Sequence, residues 1–127
     1  MSRSSAREKV FKLIFEYTFS LEEDDGLLEE YISECKDEAD YISEVYHGVL
    51  SKYNELCSFI AEKSQGFKFD RIYKVDLAIL LLALYEIKYI DSIPVKVSVN
   101  EALNLSKVYS TESSYKFING ILSSMVK

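Results

Sequence analysis

The chain has 127 residues, 48% hydrophobic and 28% charged, with a net charge of −6. That is the length of one domain with enough apolar material for a core, which excludes a collagen-like or low-complexity chain. Four glycines and one proline are too few for a hairpin-dense β protein, and the longest nearly uncharged apolar run, Leu77–Tyr85, falls far short of the ~20 residues of a membrane span.

The charge is unevenly placed. Residues 1–20 carry four basic and two acidic groups, residues 21–62 two basic and thirteen acidic, and residues 63–127 nine basic and six acidic. Two mildly basic ends flank an acidic middle. If the ends meet in space they present an anion-binding face; otherwise the middle is simply a solvated acidic helix pair. The opening residues show no basic-then-apolar leader, and Cys35 and Cys57 form no CxxC pair. The reading is a cytoplasmic protein with two free thiols.

In chain order, Val10, Leu13, Ile14 and Tyr17 recur at helical spacing and predict a helix over 4–19. A polar break at 22–26 precedes a short helix over 27–35. A second polar stretch, 36–40, leads to a longer helix over 41–64, weakened in the middle by Gly48 and ended by Gly66 in a left-handed cap. Val75–Ile90 has only three charged residues, Asp76, Glu86 and Lys88, so it reads as the central helix, buried on nearly all sides. Pro94 breaks the chain after it. Ser98 and Glu101 fit a capping box, which predicts a helix from Ser98 to about Val108. Ser110-Thr111 then caps a last helix with the apolar stripe Phe117, Ile118, Ile121, Leu122 and Met125. Period-two alternation is absent, so the fold class is all-α, with about six or seven helices in one bundle or two small ones.

Catalytic signatures are missing. The single histidine, His47, has no metal-ligand spacing to Cys35 or Cys57, and no phosphate-binding loop, dinucleotide fingerprint or zinc-helix motif occurs. The residues point away from an enzyme and require no cofactor.

Three ordered blocks carry a resemblance. The first is Asp70-RIYKVDLAILLLALYEI-Lys88. The second contains Ile93-PV with Asn100, Glu101, Ala102, Leu105 and Lys107. The third contains Lys116, Phe117, Asn119, Gly120 and Leu122. With the opening Ser5-AREKVFKLIF-Glu16, these resemble the NusB family of transcription antitermination factors along essentially the whole chain. The resemblance implies about seven helices in two small subdomains, about 1–66 and 67–127, joined as one domain. It implies binding of boxA-type single-stranded RNA with NusE, a protein shared with the small ribosomal subunit, in a complex that keeps RNA polymerase elongating, notably on ribosomal RNA operons. Neither DNA nor membrane is expected as a partner.

On that resemblance the candidate RNA-binding residues are Arg3, Arg7, Phe15, Asp76, Tyr109, Ser113, Lys116 and Phe117. Aromatic rings would stack on bases and cations would meet phosphates. Arg3 and Arg7 are read as standing opposite Val10 and Leu13. Free N–H groups at the start of the last helix, 110–114, offer a further anion or base-edge contact. Each aromatic also fits a core role, and Asp76 fits a cap on the buried helix. Asn119 and Gly120 read as architectural, with Gly120 allowing close helix packing. The chain departs from the family at Ser2, Ser4 and Ser5, which dilute an arginine cluster. It departs again at Ser113, where the family has an acid, and at Leu77 and Leu81, where many members have basic residues. The alternative reading is a protein-interaction module that has lost RNA and uses Leu77 and Leu81 as a partner surface. A fragment of an RNA cytosine methyltransferase is a third.

Overall fold

Ser2 opens the first helix, its Oγ accepting the Ser5 N–H at 3.1 Å. The structure, a computed structural model, describes residues 2–64 and 68–125. α1 (Arg3–Ser20) closes where Leu21 turns to φ 55° and returns its N–H to the Tyr17 carbonyl. The Asp24 carboxylate caps α2 (Asp25–Glu34) by accepting the Leu27 N–H at 3.0 Å. A 3₁₀ turn, Lys36–Glu38, enters α3 (Ala39–Ser51), and α4 (Tyr53–Lys63) follows. A second 3₁₀ turn, Phe69–Arg71, precedes α5 (Lys74–Tyr89), α6 (Val95–Tyr109) and α7 (Glu112–Ser123). Thr111 caps α7, as expected, by accepting the Ser114 N–H at 3.0 Å. The described residues contain seven α-helices and no strand, in accord with the all-α reading.

α5 is the central element. It packs against α1, α3, α4, α6 and α7, and every residue from Asp76 to Leu84 is buried. This confirms the inference from its nearly unbroken apolar run. It also removes the surface proposed for Leu77 and Leu81: both face the core. A leucine in place of a cation is what full burial there requires.

Two boundaries differ from the sequence reading. The helix expected over 41–64 is two helices, with the break at Lys52. Gly48 lies inside α3 and lets Tyr85 of α5 approach: a Cβ there would stand 2.1 Å from the Tyr85 ring. The capping box at Ser98 is absent, because α6 begins three residues earlier, directly after Pro94. Pro94 supplies the N-cap backbone, and Ser98 and Glu101 turn inward to other helices. Gly120 has open space where its Cβ would be, so close packing does not account for it. The cap expected at Gly66 lies outside the described residues.

Candidate nucleic-acid interface

α5 buries two carboxylates, one near each end. Glu86, fully buried, accepts from Arg7 Nε at 2.7 Å, Arg7 Nη2 at 3.2 Å, Ser98 Oγ at 2.7 Å and the Tyr41 hydroxyl. Arg7 Nη1 also donates to Glu101 at 2.9 Å. α1, α3, α5 and α6 are thus tied by one network of ion pairs and hydrogen bonds. Burial lowers the pKa of an isolated guanidinium, but the Glu86 bond and the surrounding negative charge more than offset this and hold Arg7 above its ordinary range.

That geometry corrects the placement of Arg7. It is 4% exposed and lies on the core side of α1. The reason is the helical period: Arg7 stands three residues before Val10 and seven before Ile14, on their face and not opposite it. Arg3 keeps an exposed guanidinium, but it pairs with Glu38 and sits 4.2 Å above the Tyr41 ring. Lys9 pairs with Glu34 at 2.8 Å. The basic residues of α1 therefore mostly neutralise neighbouring acids, and the anion-binding face expected from the meeting of the two ends does not form around them.

The second carboxylate, Asp76, is 4% exposed in the first turn of α5. Asp76 does not cap its own helix. It accepts Ser110 Oγ at 2.6 Å and Ser114 Oγ at 2.7 Å, which holds the start of α7 against the start of α5. At this junction lies a cavity of about 310 Å³ whose walls include Arg71, Tyr73, Asp76, Ser113 and Phe117. Three expected site residues, Asp76, Ser113 and Phe117, are thereby brought together, with Lys116 exposed one residue before Phe117. The first turn of α7 adds its partly positive backbone terminus.

Two wall residues escaped the sequence reading. Tyr73, 65% exposed, immediately precedes α5. Arg71 is exposed and forms no ion pair with a described residue. Their signal was local: an aromatic and a cation in a turn, next to a helix too apolar to leave any ring unburied without reason.

The remaining expected residues, Phe15 of α1 and Tyr109 of α6, fall in one aromatic row. Tyr109 packs its ring 5.0 Å from Phe11, Phe11 lies 6.3 Å from Phe15, and Phe15 lies 5.1 Å from Phe19. The spacing of Phe11, Phe15 and Phe19 is i, i+4, i+8, a stripe visible in the sequence. The Tyr109 hydroxyl donates to Glu8, and that bond pushes its pKa up to about 12. Phe15 and Phe19 line a larger cleft of about 650 Å³, whose rim carries Glu16, Glu22, Glu23, Asp24 and Asp25. Such a rim repels phosphate, so the cavity between α5 and α7 is the better nucleic-acid site. Near the same rim, Glu23, Asp25 and His47 bring ligand atoms within 4.8 Å of one another. All three are exposed, and a 3.2 Å His47–Glu23 contact accounts for the approach without an ion.

Among the described residues, seven α-helices, five of them packed on a buried central one, with a largely apolar, aromatic-walled cavity at the junction of two helix N-termini, define an all-helical binding module. The NusB family model matches residues 4–127, and the chain belongs to the NusB family. It is 43% identical to the transcription antitermination protein NusB of Agathobacter rectalis, over 96% of this chain and 97% of that protein. It is 36% identical to the NusB of Listeria innocua, over 98% and 96%. Among solved structures, T. maritima NusB superposes with a TM-score of 0.89 at 31% identity, covering 98% of this chain and 90% of that one. The NusB of a complex of NusB and NusE with double-stranded RNA shares the fold at 24% identity and a TM-score of 0.84, covering 97% and 94%.

Proposed function

We propose that the chain is a transcription antitermination factor that binds boxA-type single-stranded RNA together with NusE, in the complex that keeps RNA polymerase elongating on ribosomal RNA operons. It would act in the cytoplasm as a binding protein, without catalysis or cofactor. The observation that carries the reading is the gathering of Asp76, Ser113 and Phe117 into one cavity, beside Tyr73, Arg71 and exposed Lys116. Unstacked RNA bases are held by rings and base-edge hydrogen bonds, and phosphates by cations; this cavity offers all three.

Lys116 is a phosphate contact in this reading, whereas Arg3, paired with Glu38, and Arg7, paired with Glu86, are positioning residues that set α1 against its neighbours. Phe15 and Tyr109 belong to an aromatic row that packs α6 against α1. Because Arg7 and Lys9 are already paired, fewer cations remain for RNA. Binding by the chain alone is therefore weak, and NusE raises it. Fluorescence anisotropy of a labelled boxA-type RNA, with and without NusE and at two salt concentrations, tests this. Binding strengthened by NusE and weakened by salt is expected. Sequence-selective, nanomolar binding by the isolated chain in physiological salt would refute the dependence on NusE, and no selective binding even with NusE would refute the RNA reading.

A further inference from the structure

Among the described residues, Tyr73 is the most exposed aromatic ring. It is 65% exposed, stands at the N-cap position of α5 and lines the same cavity as Phe117 and Asp76. Folding alone gives no reason for a large aromatic there. The backbone at Tyr73, φ −58° and ψ 140°, is one that any residue adopts. Its side chain makes no capping hydrogen bond.

We propose that Tyr73 and Phe117 are the aromatic walls of a slot that receives one unstacked RNA base, with Arg71 at its rim for the adjoining phosphate. The inference rests on the RNA reading above and assigns the chemistry of that site. A base needs a ring to stack on, an edge partner and a cation near its phosphate. Tyr73 supplies an exposed π-face. Asp76 supplies the edge partner: its carboxylate has about four lone-pair positions, the two serine hydroxyls take one each, and acceptor capacity remains for a base N–H. Arg71 supplies the cation. It forms no ion pair with a described residue, whereas Arg3, Arg7 and Lys9 each have an acidic partner. The walls of the cavity are mostly apolar side-chain surface, as a stacked base requires and a bare phosphate does not.

The test is anisotropy of a labelled boxA-type RNA with the full chain and NusE, using Tyr73→Ala and Tyr73→Phe, and a set of RNAs each with one abasic position. Base–aromatic stacking predicts that Tyr73→Ala binds about 5- to 150-fold more weakly, while Tyr73→Phe stays near wild type. One abasic RNA loses a similar factor with the wild-type chain and nothing further with Tyr73→Ala. Wild-type affinity of Tyr73→Ala, alongside a loss for Lys116→Ala, overturns the slot and leaves the RNA reading standing. Weaker capture of NusE by Tyr73→Ala without RNA overturns it in favour of a protein side chain in the cavity. Absence of RNA binding by the wild-type chain with NusE overturns both.

Discussion

Arg7 donates to Glu86 at 2.7 Å and 3.2 Å through two nitrogens, and both side chains are almost wholly shielded from water. The pair joins the first helix to the central one across 79 positions of sequence. Breaking a buried pair from one side leaves an uncompensated charge, which costs about 3–5 kcal/mol. Arg7→Met should therefore destabilise the fold by that amount in urea or thermal unfolding. Arg7→Met combined with Glu86→Leu should recover part of the loss, since no charge is then stranded. A single mutant as stable as wild type would show that the network carries no net stability.

The open space at Gly120 makes the opposite prediction. Glycine inside a helix costs about 1 kcal/mol relative to alanine, and here no neighbour lies within 4 Å of the missing Cβ. Gly120→Ala should raise the unfolding midpoint by an amount equivalent to about 0.5–1 kcal/mol. A destabilised variant would mean that the position is constrained by something other than packing within this chain.

Phe117 has two roles to separate. If its ring stacks on a base, Phe117→Ala weakens RNA binding by about 1–3 kcal/mol. The ring is half-buried, so stability falls as well, with about 3–5 kcal/mol as the cost of losing a fully buried phenylalanine. Binding should be measured on the folded fraction, alongside urea unfolding. Normal binding by that fraction would remove Phe117 from the interface.

Lys116 is exposed and immediately precedes Phe117, a wall of the cavity. As a phosphate contact, Lys116→Ala should weaken binding about equally for all RNA sequences and reduce the salt slope by about 1. Anisotropy titrations at four or five salt concentrations give that slope directly. An unchanged slope would place Lys116 outside the phosphate path.

Tyr109 provides a pH-dependent signature. Its bond to Glu8 raises the folded-state pKa to about 12, above the ordinary value near 10. The folded state therefore holds the phenolic proton more tightly than the unfolded state. This stabilisation is complete below about pH 10 and is lost as pH rises from 10 through 12. Ultraviolet titration should show an ionisation near 12 that disappears in Tyr109→Phe and moves toward 10 in Glu8→Gln. An unmoved step in Glu8→Gln would discard the Glu8 bond as the cause.

The residues alone determined the helical class, because a chain with one proline, spaced apolar stripes and no alternating segments can bury its apolar surface only as helices. They also determined the central helix: a run such as Leu77–Leu84 has no polar face to show to water, so other helices must surround it. The family was legible too, in motif blocks whose order and spacing survive without coordinates. Only the tertiary structure decided where the buried charges go. The period of α1 already turned Arg7 toward the core, but that its partner there is Glu86, and that Ser98 reaches the same carboxylate on α5, depended on the register between helices far apart in sequence. The same holds for the cavity. Tyr73, Asp76, Ser113 and Phe117 belong to two separate segments, and they became one site because two serine hydroxyls on one segment bond a single buried carboxylate on the other.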